Sequence, residues 1–250
     1  MIRVDAWLRR ECAQILSSCW PATCVLCGRR GERARIDLCR GCEADLPAND
    51  YHCVICAEPL QGEAHAERIC GACLQHRPHF EASCIPFRYA YPLDHLIRRL
   101  KYGGCIANGR VLGELLAASA GARACLPQML LPVPLGQRRF RGRGYNQAIV
   151  LAQHVSRSLK IPLQTDLLVR TRETLVQAGL DQRERRKNIK RAFALMGTLP
   201  CTHIALIDDV VTTGSTANEL AGVLKRAGAA RVEIWAVARV ARSRSAQTNR

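Results

Sequence analysis

Ile207-Asp208-Asp209-Val210-Val211-Thr212-Thr213-Gly214-Ser215-Thr216 is the stretch on which the fold turns. Upstream, His203 to Ile207 is a short apolar run of the kind a buried strand needs. Asp208 to Thr216 reads as a polar turn, and Ser215 to Arg226 as a helix with Ala217, Leu220, Ala221 and Leu224 on its inner stripe. Gly228 stands where a helix C-terminus favours a left-handed residue, and Val232 to Val240 reads as a returning strand. A strand, turn and helix in this order form a βα unit whose turn lies at the carboxyl edge of a parallel sheet, the edge where open α/β sheets bind ligands.

The residue types in the turn point to a sugar phosphate. Small side chains let several backbone N–H groups approach one phosphate at a helix N-terminus, where unpaired donors and the helix dipole both favour an anion. Gly214 supplies the backbone freedom. Asp208 and Asp209 stand about one sugar's length away and can accept hydrogen bonds from ribose hydroxyls. A magnesium site and a solvated acidic turn are the competing readings of the same residues. No Gly-Lys dipeptide is present for a Walker A loop, and Gly142-x-Gly144 lacks the third glycine of a dinucleotide fingerprint.

Working outward, the chain from Cys84 alternates short apolar runs with helical stripes, the pattern of a largely parallel sheet flanked by helices. Ile85 to Tyr91 and Met129 to Val133 read as strands. Leu93, Leu96, Ile97 and Leu100 mark a helix, Lys101-Tyr102-Gly103-Gly104 a loop, and Val111 to Ala118 and Gln147 to Leu159 two more helices.

The region before this is built from cysteines. Cys24/Cys27, Cys39/Cys42, Cys53/Cys56 and Cys70/Cys73 form four CxxC pairs. Two such turns complete a tetrahedral thiolate site closed to water, so two structural zinc ions are expected. Sequential pairing is the expectation, with crossed pairing as the alternative. A redox pair or an iron–sulfur cluster fits four repeated pairs less well. Gly28 and Gly71 are read as the tight positions of the knuckles, and His52, His65, His76 and His79 as surface residues. Cys12, Cys19, Cys84, Cys105, Cys125 and Cys201 read as small core residues. Zinc would supply folding free energy to a module too small to bury a sufficient core, leaving it docking or binding as its function.

Composition sets the class. The 250 residues, 48% apolar and 23% charged, suit two folded domains. The formal net charge of +16 favours a polyanionic partner or a phosphate-rich small molecule. Eight zinc-bound thiolates bring it to about +12. Aromatic residues, at 5%, leave few platforms for stacked bases. Residues 1–20 place Val4, Trp7, Leu8, Cys12, Ile15 and Leu16 on one stripe, a docking helix rather than a signal core. No apolar run reaches the roughly 18 residues of a membrane span, so a reducing, cytoplasmic setting is expected.

Ile207 to Thr216 also resembles, nearly residue for residue, the phosphoribosyl pyrophosphate (PRPP) motif of type I phosphoribosyltransferases. Arg141-Gly142-Arg143-Gly144-Tyr145-Asn146-Gln147 and the pattern Gln177, Leu180, Arg185, Asn188, Ala192, Phe193 resemble signatures of the ComF family, over roughly Cys24 to Arg239. The resemblance implies an α/β type I phosphoribosyltransferase fold, a mainly parallel sheet flanked by helices, preceded by a small four-cysteine zinc-ribbon module. The expected domains are an amphipathic helix over 1–20, a double zinc ribbon over 21–80, a phosphoribosyltransferase-like domain over 84–241 and a disordered basic tail over 242–250.

It further implies PRPP bound with Mg2+ by Asp208, Asp209, Val211, Thr212, Thr213, Gly214, Ser215 and Thr216, with Asp208 and Asp209 as the catalytic pair. Lys101 and Gly103 resemble a pyrophosphate loop by position. Thr171 to Arg191, with Arg183, Arg185, Arg186, Lys187 and Lys190, is the candidate lid, or else a basic solvated helix or nucleic-acid face. An enzyme of this kind would displace pyrophosphate from PRPP, yet no general base and no nucleobase hood is identifiable. The rival is a non-catalytic factor handling single-stranded DNA during natural transformation, its phosphates met by Arg138 to Arg143 and Arg183 to Arg191. The ribbons would then dock a DNA-uptake helicase or another protein.

Overall fold

The computed structural model describes residues 23–30, 36–61, 68–172, 189 and 191–242. The expected helix over 1–20, His65, Arg185 with most of the candidate lid, and the tail 243–250 lie outside the described residues. The chain divides into two compact units, Met1–Leu46 and Pro47–Arg250, so the division falls between the two cysteine knuckles.

Each unit contains the same knuckle turn. In the first, the Gly28 amide donates to Cys24 O (2.9 Å) and the Cys24 amide to Arg29 O (2.8 Å). In the second, the Ala57 amide donates to Cys53 O (2.8 Å) and the Cys53 amide to Glu58 O (2.9 Å). Gly28 has φ +73° and Ala57 φ +54°, so the left-handed position of the second knuckle is Ala57. Gly71 instead opens a helix. The two short helices α1 (Arg40–Ala44) and α2 (Gly71–Gln75) begin directly after Cys39 and Cys70, which are their N-caps.

The second unit carries a parallel sheet of β1 (Ala82–Cys84), β2 (Phe87–Arg88), β3 (Met129–Pro132), β6 (His203–Val211) and β7 (Arg231–Arg239). Its order is β1-β7-β6-β3, with β2 continuing beside β7. A separate antiparallel pair joins β4 (Leu168–Arg170) to β5 (Phe193–Leu195). Where the sequence reads one strand over Ile85 to Tyr91, the chain pairs earlier and breaks at Ile85-Pro86. Proline brings no N–H to the ladder, and the Pro86 carbonyl accepts instead from the Asn49 amide (2.8 Å).

The helices are α3 (Leu93–Tyr102), α4 (Ile106–Gly121), α5 (Gln137–Arg143), α6 (Gln147–Leu159) and α7 (Ser215–Arg226). On one face of the sheet Ile204, Leu206, Val232, Ile234 and Ala236 share a core with Leu220, Ala221 and Leu224 of α7. Helices α4 and α6 pack against each other and against the sheet. They approach closely because Gly109 and Gly113 face α6, where an added Cβ would lie 2.5 Å from Val150 Cγ1 and 2.6 Å from His154 Cβ. With both faces covered, β6 and β7 read as near-continuous apolar runs.

A polar cluster centred on Glu233 sits in this core. Glu233, fully buried on β7, meets Arg123 (2.9 Å), Arg231 (2.8 Å) and His203 (3.1 Å), and accepts from Trp235 Nε1 (3.0 Å). Among the described residues no helix is long and apolar enough to cross a membrane.

Candidate functional site

Strand β6 runs past Ile207 and takes both acids with it, so Asp208 and Asp209 are strand residues and not part of the turn. Alternation then sends neighbouring side chains to opposite faces. Asp209 is only 3% exposed, and its Oδ2 lies 3.0 Å from Lys101 Nζ. Asp208 is partly buried, and its Oδ1 accepts from the Asp209 amide (2.8 Å). Burial, then the charge of Asp209, pushes the Asp208 carboxyl up to about 8, against a smaller lowering by Lys101.

After Val211 the chain turns through Thr212 and Thr213 to Gly214, whose φ of +77° starts helix α7 from a left-handed residue. No side chain caps the helix at Gly214. The Ser215 amide is partly covered, donating to Thr213 Oγ1 at 3.3 Å, and the Thr213 and Ser215 hydroxyls lie 2.9 Å apart. The sequence predicts bare amides here. The structure leaves Thr216 uncapped and gives Ser215 a long internal bond.

Lys101 sits in the last turn of α3 and not in a loop, and this is what lets it reach Asp209. Gly103 follows as C-cap, where a Cβ would stand 3.0 Å from the Arg99 carbonyl. Arg185 lies outside the described residues. Of the Arg141–Gln147 segment, Gly144 ends α5 at φ +77°. Asn146 caps α6 by accepting from the Ala148 amide (2.9 Å) and donates to Val133 O (3.0 Å). That segment therefore shapes the backbone beside the turn.

Beyond β3 lies a cavity of about 210 Å³ lined by Pro132, Pro134, Leu135, Phe140, Ile149 and Arg170, among others. Pro132 pairs with Ile207 in the sheet register, which puts this cavity at the same carboxyl edge as Asp208.

The sequence places Arg239 within the returning strand but does not show what its side chain does. Arg239 is the fully buried last residue of β7. Its guanidinium donates to Val211 O (3.1 Å), to Thr212 O, to Val240 O (2.7 Å) and to Cys56 O (3.1 Å), and pairs with Glu58 (2.5 Å). An arginine at the end of an apolar strand was the available signal, because its charge there demands buried acceptors.

The eight CxxC cysteines form two clusters, Cys24/Cys27/Cys39/Cys42 and Cys53/Cys56/Cys70/Cys73, paired sequentially. All four Sγ atoms of each lie within 4.8 Å of one another, and Cys27–Cys39 and Cys56–Cys70 are 3.6 Å apart. Tetrahedral zinc at about 2.3 Å from each sulfur needs sulfurs about 3.8 Å apart, so both sets fit the ion. The second set is wholly buried, which makes it a structural centre with no open position. Of the other cysteines, Cys84 is buried but Cys125 is exposed, since it ends a loop before β3 and is not in the core. His76 and His79 are exposed, as expected, and His52 is half-buried.

Comparison with known proteins gives a double zinc ribbon domain over residues 15–74. The chain is 36% identical to competence protein F of Haemophilus influenzae, over 86% of this chain and 96% of that protein. It is 35% identical to the DNA utilization protein YhgH of Escherichia coli, over 88% of this chain and 97% of that protein. Among solved structures, adenine phosphoribosyltransferase from Leishmania tarentolae aligns at 18% identity with a TM-score of 0.33, covering 54% of this chain and 58% of that one.

Proposed function

We propose that this chain, which belongs to the ComF family of competence and DNA-utilization proteins, binds PRPP with Mg2+ at the strand end and following turn, Asp208 to Thr216. The observation that carries this reading is the acid pair at the end of a parallel strand, followed within a few residues by left-handed Gly214 and a helix N-terminus. The 5-phosphate would accept from the amides around Gly214 to Thr216, where the helix dipole favours an anion. Asp208 would take the ribose hydroxyls, with Asp209 held behind it by Lys101. Val211 supplies the buried start of the turn, and the amide of Gly103, the Lys101 cation and Arg185 would meet the pyrophosphate.

The reaction such a site suits is displacement of pyrophosphate from the anomeric carbon. The bond from that carbon to the pyrophosphate oxygen breaks, its electron pair leaves with pyrophosphate, and a lone pair of the acceptor forms the new bond. Mg2+ would neutralise charge on the leaving group. This chain's residues hold the sugar and keep charges in place, which is electrostatic and positional catalysis. The cavity beside Phe140 would be where an acceptor sits.

A second reading is a DNA-handling factor that keeps the same site. Helix α5 carries Arg138, Arg139, Arg141 and Arg143 around Phe140, itself 48% exposed. The Arg143 guanidinium lies 4.9 Å over the ring of Tyr102, which is 75% exposed. Cations interleaved with exposed rings suit the backbone and bases of a single strand. The names of the relatives support it.

Calorimetry with PRPP and Mg2+ tests the first reading, with binding by wild type and loss of about tenfold or more in affinity for Asp209→Asn. Equal binding by both removes the site assignment. Single-stranded oligonucleotide binding at two salt concentrations, run beside assays for pyrophosphate release, separates transferase from DNA factor.

A further inference from the structure

The buried pair Arg239–Glu58 joins two places that the sequence keeps far apart. From Cys56 the path runs through one knuckle turn. Metal at Cys53, Cys56, Cys70 and Cys73 would fix that turn, whose Cys53 amide holds Glu58 O at 2.9 Å. The Glu58 carboxylate pairs with Arg239 and also accepts from the Arg242 amide (2.7 Å). Arg239 in turn holds Cys56 O on one side and the carbonyls of Val211 and Thr212 on the other. Arg242 adds a long bond to Thr213 O (3.4 Å). Three successive carbonyls at the start of the phosphate turn are thus held by two arginines anchored on one glutamate.

We infer that Arg239 and Glu58 are positioning residues that make the shape of the Val211–Thr216 turn depend on metal in the second four-cysteine knuckle. The carbonyls matter because fixing them turns the following amides toward the anion. A peptide plane is rigid, so its C=O and N–H are set together. A buried guanidinium also cannot release one partner cheaply, since an unpaired charge in the interior loses its solvation without recompense. The first knuckle has no such device at the matching position, where Arg29 replaces Glu58.

This inference rests on the sugar-phosphate reading for its ligand but not for its structural core. Its consequence is reciprocal, because if metal favours ligand binding then ligand must hold metal by the same factor. Zinc release from the second site to a chromogenic chelator is measured on the full chain with and without PRPP and Mg2+, for wild type and Glu58→Gln. In parallel, hydrogen exchange of the amides of residues 211–216 is followed before and after chelation.

In wild type, PRPP is expected to tighten one zinc by about tenfold in equilibrium competition with the chelator, within the usual range of coupling between sites. Glu58→Gln should still hold two zincs, lose that protection, and exchange the 211–216 amides about tenfold faster. Glu58→Asp, which keeps the charge, should recover part of the effect. If Glu58→Gln binds two zincs and exchanges these amides as wild type does, the inference is overturned. If wild type never binds PRPP but its 211–216 amides loosen in Glu58→Gln, the positioning role stands and the sugar-phosphate reading falls. Should chelation unfold the chain, Glu58→Gln decides alone, because it leaves every metal ligand in place.

Discussion

Lys101 and Asp209 face each other at 3.0 Å across the carboxyl edge of the sheet, one at the last turn of α3 and the other near the end of β6. Asp209 is almost wholly buried, and among the described residues Lys101 is the cation paired with it. Lys101→Met should lower stability by about 2 to 3 kcal/mol, since it strands a buried carboxylate. Urea denaturation checks this, and the double variant with Asp209→Asn should recover much of the loss.

Asp208 gives the protein a pH slope. Its carboxyl ordinarily titrates at 3.8 and here is pushed up to about 8 by burial and by Asp209. The stability this raised value contributes is fully present below 3.8 and is lost as pH rises through about 8. Wild type should therefore weaken between about pH 5 and about pH 8 more than Asp208→Asn does. Urea midpoints at the two pH values decide the matter, and equal slopes would refute it.

Glu233 has the opposite sign. Burial raises its carboxyl, but the Trp235 indole and the charges of Arg123 and Arg231 outweigh it and hold the group below its usual value of 4.5. That stability is present above 4.5 and disappears as pH falls through the lowered value. Glu233→Gln should cost about 3 kcal/mol at neutral pH, because it leaves the cations around it without their partner. The gap from wild type should close in acid, which an acid-unfolding titration will reveal.

Metal analysis should give two zinc ions per chain. Cys27→Ser and Cys56→Ser should each leave one. The thermal midpoint should fall further for Cys56→Ser, because Cys53, Cys56, Cys70 and Cys73 share the core with Ile204 and Leu220, whereas Cys27 is exposed. Equal midpoints would contradict that difference.

Periodicity made the βα unit legible. Helices α6 and α7 begin and end where the apolar stripes and Gly228 say they should. The four CxxC pairs likewise announced two four-sulfur clusters, since that spacing has few other uses. What stayed hidden depends on tertiary neighbours. Nothing local says that β6 should carry two carboxylates as strand residues, because the buried one takes its partner, Lys101, from a different element. Arg239 reads only as a charged strand end until Glu58, 181 positions away, supplies its counter-ion. The short pair β4 and β5 lacks any strong alternation and is defined only by mutual pairing.

The Thr213 hydroxyl, resting on the Ser215 amide, keeps a place warm. An arriving anion would offer that amide one oxygen in exchange for another, so little is gained from this donor by itself. On the sugar-phosphate reading, discrimination among ligands would come from the reach between the loop and Asp208, which a bare phosphate cannot span and a phosphorylated sugar can.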